Sequence, residues 1–418
     1  MFFGASLMTL LVAGTTLVYA QGSTPDPCTD ASTVYQTILD DYQKKDIPTR
    51  KKVIETAKSW IEKYSNCDGQ KDQADWVKAN VPKWEKNLAS AIDNQQRTDV
   101  EVRFDQGMKA KNWDQVYAAA KEALAKWPED YRPFELVLGS IGLDESQKGN
   151  PKFNDDTIKF AKQGIADLEA NKPFQLTIYD APTKSWKKVE MYGYGEFNYG
   201  SKNNALGWLN YTVGYLLTFD KKQKKEGADY LYKVTKIDSK ANTAANIYSG
   251  IASYYVDQLN AEITKLKALP AVDDKADSTE VKQQKTDALK AQVGILRGVA
   301  DRALDAYARA YEKAGDDPKQ KAYKDGVLKS FKDIYEIRYE KPDGADALIK
   351  TIAAKPMVAP STPIAPVVDE PTTASETVTP PTTPTPAAPK PSAVPATKPA
   401  AKTVPAKPSV AKVRKAAR

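Results

Sequence analysis

The sequence predicts an all-α protein: an array of helical hairpins with one hairpin-like insertion and a disordered C-terminal tail. Three observations carry this expectation. Through residues 21–355 apolar side chains recur at spacings of three and four, the period of a helix that buries one face. One stretch, Phe174 to Gly200, alternates with period two instead, as a short strand pair does. Composition then shifts at Lys355. Of 27 prolines, 15 fall in 356–418, a stretch that holds no Phe, Tyr or Trp. Such a segment buries too little to offset the entropy of ordering it, so a partly polyproline-II tail is expected over 356–418.

Residues 1–20, MFFGASLMTLLVAGTTLVYA, are apolar and uncharged and end in Val18-Tyr19-Ala20. Small residues at such a terminus suit a signal peptide cleaved before Gln21. The Lys or Arg of a typical n-region is missing, so an uncleaved N-terminal membrane anchor stays open. Either way the protein is expected outside the cytoplasm, in a periplasm or beyond the cell. The polar remainder predicts no integral membrane body.

Residues 21–100 form the first region. The segment before Cys28, STPDPC, lacks a lipobox, so Cys28 is not read as a lipidation site. A helix is expected from Thr29 onward, with Thr29 or Asp30 as its cap. A second begins at Pro48 and carries the stripe Val53, Ala57, Trp60, Ile61 and Tyr64. The short connection makes the two antiparallel and brings Cys28 and Cys67 to one end. In an oxidising compartment these two form a disulfide. The chain-entropy model assigns roughly 4 kcal/mol to a loop of this size. Trp76, Val77, Trp84, Leu88 and Ile92 mark a further helix that Pro82 is expected to kink or split.

Residues 101–355 form the array. In NWDQVYAAAKEALAKWPED, Trp113, Val116, Tyr117, Ala120, Leu124 and Trp127 make one apolar stripe. Ala119 and Ala123 add a flank that a neighbouring helix approaches closely, and Pro128 stops the helix. Further helices are expected over 155–170, 204–219, 224–237, 278–315, 321–339 and 344–354, with an exposed polar loop between Ala268 and Ser278. The insertion 174–200 reads as a strand, QLTIY, a turn, DAPTK, and a second strand, SWKKVEMY.

The segment from Asn112 to Asp130 resembles the second helix of a tetratricopeptide repeat (TPR). Trp113, Ala123 and Pro128 fit that family's early aromatic, late alanine and closing proline. A second unit, residues 232–255, is similar to residues 121–143. Ser239 stands where Pro128 does, Val234 where Ala123 does, and Gly250 and Gly139 correspond. Residues 303–318 share the Ala and aromatic texture. The units depart from an even repeat of about 34 residues. More loosely the chain resembles exported bacterial TPR-like proteins with proline-rich C-terminal tails. The resemblance implies a degenerate TPR-like superhelix whose groove binds peptides or protein segments. The family's spaced Lys/Asn/Arg carboxylate clamp is not traceable, so no ligand class carries over.

Chemistry is sparsely signalled. The chain has no histidine, which removes the commonest general base and metal ligand. With two cysteines and no histidine, a Cys/His zinc site is excluded. No nucleophile elbow or phosphate-binding loop appears. Gly193 and Gly195 lack the third glycine and strand–helix context of a dinucleotide fingerprint, so no cofactor is expected. Acidic neighbours such as Asp155 and Asp156 read as a solvated helix face. The densest aromatic patch is Tyr192, Tyr194, Phe197 and Tyr199, with Trp186 nearby. On an exposed loop these stack on sugar rings or anchor a partner; on a packed one they hold the insertion to the helices beneath.

The tail is basic. After Glu376 it holds six Lys, two Arg and no acid, whereas the whole chain carries +7, so the body is near neutral. Lys398, Lys402, Lys407, Lys412, Arg414, Lys415 and Arg418 are the expected contacts to a polyanion. For an exported protein that polymer is an anionic envelope component rather than nucleic acid. The functional expectation is a non-enzymatic scaffold that binds an envelope protein. The alternative is a glycan- or solute-binding protein using the aromatic insertion.

Overall fold

The computed structural model describes residues 26, 28–180, 185–352 and 354–368. The export signal expected at 1–20 and the basic positions Lys398 to Arg418 lie outside the described residues. Among the described residues the chain is mostly helical, with thirteen α-helices and one two-stranded sheet. None of these helices is long and apolar enough to cross a membrane. The chain divides into two compact units, Met1–Asp99 and Val100–Arg418.

The first unit holds α1 (Ala31–Tyr42), α2 (Ile47–Tyr64) and the beginning of α3 (Lys71–Ala110). Asp46 caps α2 by accepting from the Thr49 amide at 2.9 Å, with Pro48 in the first turn as expected. Neither Thr29 nor Asp30 caps α1. Asp26 orders that turn instead: its carboxylate accepts from the Cys28 amide and its carbonyl from the Thr29 hydroxyl. The stripe from α2 meets Ile38, Val77 and Trp84 in one core. The Trp60 indole, fully buried, donates to the Ala31 carbonyl at 2.7 Å. Cys28 and Cys67 are joined in a disulfide, their Cα atoms 5.8 Å apart. Pro82 does not split α3. Val81 and Trp84 beside it are buried, and that packing holds the helix together across the lost hydrogen bond.

The second unit starts at Val100, still on α3. It continues through α4 (Trp113–Lys126), the short α5 (Pro128–Tyr131), α6 (Pro133–Gln147) and α7 (Asn154–Glu169). After the sheet come α8 (Lys202–Tyr215), α9 (Lys224–Lys236), α10 (Asn246–Ala268), α11 (Thr279–Lys313), α12 (Lys321–Tyr339) and α13 (Ala345–Ile352). From α6 to α12 successive helices pack on one another, apart from the interposed sheet, and the alternate pairs α4/α6, α6/α8 and α8/α10 also touch. Alanines make the close approaches: Ala119, Ala120 and Ala123 on α4 are fully buried, as are Ala300, Ala303 and Ala306 on α11. The residues that lead to α4 belong to the continuous α3, which ends at Ala110. The helix expected to run through Phe219 changes at Leu216 into a π-helical turn, Leu216–Asp220.

The sheet is the expected hairpin. β1 (Gln175–Asp180) and β2 (Ser185–Glu190) are antiparallel, with Leu176 opposite Val189 and Tyr179 opposite Trp186. Leu176 is buried, and Ile178 and Val189 pack beside it on the same cluster.

The expected start of the tail is corrected. Residues 356–368 do not leave the fold at Lys355 but return along α11. Met357 and Pro360 are buried, and Ile364 packs against the core shared by α10, α11 and α12. The Val367 amide donates to the Gly294 carbonyl at 2.9 Å. The physical reason is that proline-rich backbone needs few internal partners and lies flat wherever a helix offers it a floor without side chains.

Candidate functional site

Two places were open to a functional reading: the aromatic insertion and the groove that holds residues 354–368. The insertion is anchored at its base by charge. Arg132 pairs with Asp167 at 3.3 Å and donates to the Pro173 carbonyl at 2.6 Å, and Lys172 pairs with Asp167 at 2.8 Å. Glu135 is buried beside them, and its Oε2 has no hydrogen-bond partner. Burial, reinforced by the Asp167 charge, pushes the Glu135 carboxyl up to about 7.

The aromatics face inward. Phe197 is 7% exposed and meets Trp113 edge-on, ring centres 5.9 Å apart. Tyr194 is half-buried, edge-on to Phe104 and Phe134, which stack on each other at 3.9 Å. Its hydroxyl donates to buried Asp105 at 2.7 Å. Next to it the Tyr131 hydroxyl donates to buried Glu101 at 2.6 Å. Tyr192 is half-buried near Phe174 and donates to Glu190. Tyr199 is half-buried and shares a hydrogen bond with Ser140 on α6, and burial pushes its hydroxyl up to about 12. The structure therefore brings Tyr194 and Phe197 into one cluster with α3, α4 and α6, and sets Tyr192 and Tyr199 against other neighbours. Trp186 lies on β2, and its side chain is outside the described residues. Gly193 serves the turn: its φ is +106°, and an added Cβ would meet the Phe197 carbonyl oxygen at 2.0 Å.

Asp155 and Asp156 are paired with Lys221 and Lys121 at 2.6 and 2.7 Å. Among the described residues no group of three or more Cys, Asp or Glu is placed to hold a metal ion. An open cleft of about 410 Å³ lies beside α13, lined by Lys332, Glu336 and residues 342–347. Among the described residues the large exposed aromatics are in the first unit, Tyr42 and Trp76, the latter of which the sequence places in a helical stripe rather than on a surface.

The groove was missed by sequence reasoning. Its floor is α11, where Gly294 and Gly298 are buried one turn apart. An added Cβ on Gly298 would sit 2.6 Å from the Ala365 carbonyl oxygen and 2.8 Å from Ile364, and one on Gly294 would sit 3.1 Å from Pro366. Side-chain donors reach the strap's carbonyls: Tyr232 Oη lies 3.4 Å from the Met357 oxygen, and Arg309 donates to the Lys355 oxygen. The strap has two runs without helix or strand, joined by a turn that the Thr362 amide closes onto the Ala359 carbonyl. The signal available in sequence was the pair of glycines inside a long helix, each costing about 1 kcal/mol of helix propensity relative to alanine.

The chain matches no protein-family model, no curated protein and no solved structure.

Proposed function

We propose that this chain is an exported, non-enzymatic, TPR-like scaffold that holds a protein partner in the cell envelope. Its basic tail contacts anionic envelope polymers. The observation that carries the reading is the packing of the second unit, where each helix from α6 to α12 lies on its chain neighbour and alternate helices also touch. Such arrays build their core from neighbour to neighbour and leave long surfaces for another chain. The Cys28–Cys67 disulfide supports an oxidising compartment. The charge of the tail supports a polyanion contact. Against the glycan reading stand the burial of Phe197 and the packing of Tyr194 on Phe104 and Phe134 with its hydroxyl on Asp105.

The test is crosslinking with mass spectrometry on intact cells that produce the full-length protein. Reproducible crosslinks from the second unit to one or two envelope proteins are expected. Capture of glycan with no protein would overturn the scaffold.

A further inference from the structure

We propose that the glycine-floored groove on α11 is a binding site for extended proline-containing segments of a partner chain, and that residues 354–368 occupy it as an internal stand-in. This rests on the scaffold reading and gives it a ligand class.

Three features of the groove select backbone shape rather than one sequence. First, Gly294 and Gly298 remove side chains where the strap's backbone lies on the helix, with no room for a Cβ at Gly298. A floor of this kind costs helix stability and has no use unless another backbone approaches closely. Second, the polar contacts to the strap fall on its main chain. Arg309 and Tyr232 donate to the carbonyls of Lys355 and Met357, and the Gly294 carbonyl accepts from Val367. Polyproline-II backbone leaves its carbonyls without internal partners, so any such segment offers the same acceptors. Third, the inward residues are three apart on either side of the turn, Met357 with Pro360 and Ile364 with Val367, while Pro363 and Pro366 are exposed. A spacing of three matches the three-residue turn of a polyproline-II helix.

Tethering helps to keep the strap seated. A short connection to α13 gives it an effective concentration in the millimolar range, enough to keep a weak segment seated. A partner segment that fills the same positions displaces it at the cost of that advantage alone. Beyond the strap the tail has many prolines but no Met or Ile, so it offers the backbone without the larger inward side chains.

The test uses the full-length protein and a fluorescent peptide of the sequence AKPMVAPSTPIAPVV, residues 354–368. The wild-type chain is expected to bind it weakly. The variant Ile364→Asp with Val367→Asp, which unseats the strap, is expected to bind at least about tenfold more tightly, because the tethered competitor is gone. Adding Gly298→Leu to that variant fills the floor and is expected to abolish binding. A peptide with its four prolines replaced by glycine is expected to bind about tenfold less well, since it loses its preset shape. Tyr232→Phe provides a milder release that leaves the strap's sequence intact, and is expected to raise binding in the same direction. The proposal is overturned if the unseated variant takes up no peptide, if Gly298→Leu leaves uptake unchanged, or if straps exchange between copies to give dimers that exclude the peptide. Any of these leaves the scaffold reading to stand or fall on the cellular crosslinks, which do not depend on this groove.

Discussion

The insertion and the strap invert each other. The insertion has the composition of a contact surface, with aromatics set between glycines, and its Phe197 and Leu176 are buried among helices. The strap has the composition of a solvated tail, without one aromatic ring, and it is seated on α11 through Gly294, Gly298 and Arg309, with Tyr232 of α9 beside it. Aromatic density near glycine signals the area that a segment must bury. Where a segment lies is decided by whether the surface beneath it has room, and in this protein two missing side chains on α11 make that room.

The comparison predicts unequal costs. Phe197→Ala removes a buried ring from the cluster around Trp113 and is expected to cost about 3–5 kcal/mol in urea unfolding, whereas Ile364→Ala in the strap costs below about 1 kcal/mol. Equal costs would erase the distinction between the regions.

A second effect is pH-dependent. The Glu135 carboxyl is raised from its ordinary 4.5 to about 7 by burial. Its burden on the fold is absent below the ordinary value, where both states are protonated. It grows as pH rises through that window and is complete above about 7. Glu135→Gln is therefore expected to stabilise the protein at pH 8 by on the order of 3 kcal/mol and to have no such benefit at pH 4. A benefit that is independent of pH would show that Glu135 does not titrate in this window.

Tyr194→Phe keeps the ring against Phe104 and Phe134 and removes only the hydroxyl from Asp105. A loss of about 2 kcal/mol is expected, the scale of a hydrogen bond to a charged group. No loss would return Tyr194 to the pool of residues available for an external ligand.

Several elements were legible in sequence because local chemistry dictates them. The strand pair followed from alternation in QLTIY and SWKKVEMY, and its register sets Leu176 opposite Val189. The disulfide followed from two antiparallel helices with a short connection. The α11 helix was expected over 278–315 and runs from Thr279 to Lys313, with Ser278 as its cap. The inward direction of Tyr194 and Phe197 was not legible, since the same residues suit either face and their partners Phe104, Phe134 and Trp113 are distant in sequence. The strap was not legible either. Proline spacing is the same whether such a segment is seated or solvated, and the deciding glycines lie some 70 residues earlier on another element.

The seating of the strap is tested most directly by Gly298→Ala in the full-length protein, read by thermal unfolding and by hydrogen exchange at the Val367 amide. In a helix with nothing above it, alanine for glycine stabilises by about 1 kcal/mol. With the strap in place the new Cβ has to displace the Ala365 carbonyl from 2.6 Å. The account predicts a small net loss of stability and faster exchange at Val367, whose amide is released from Gly294. A rise in stability with Val367 exchange unchanged would contradict it.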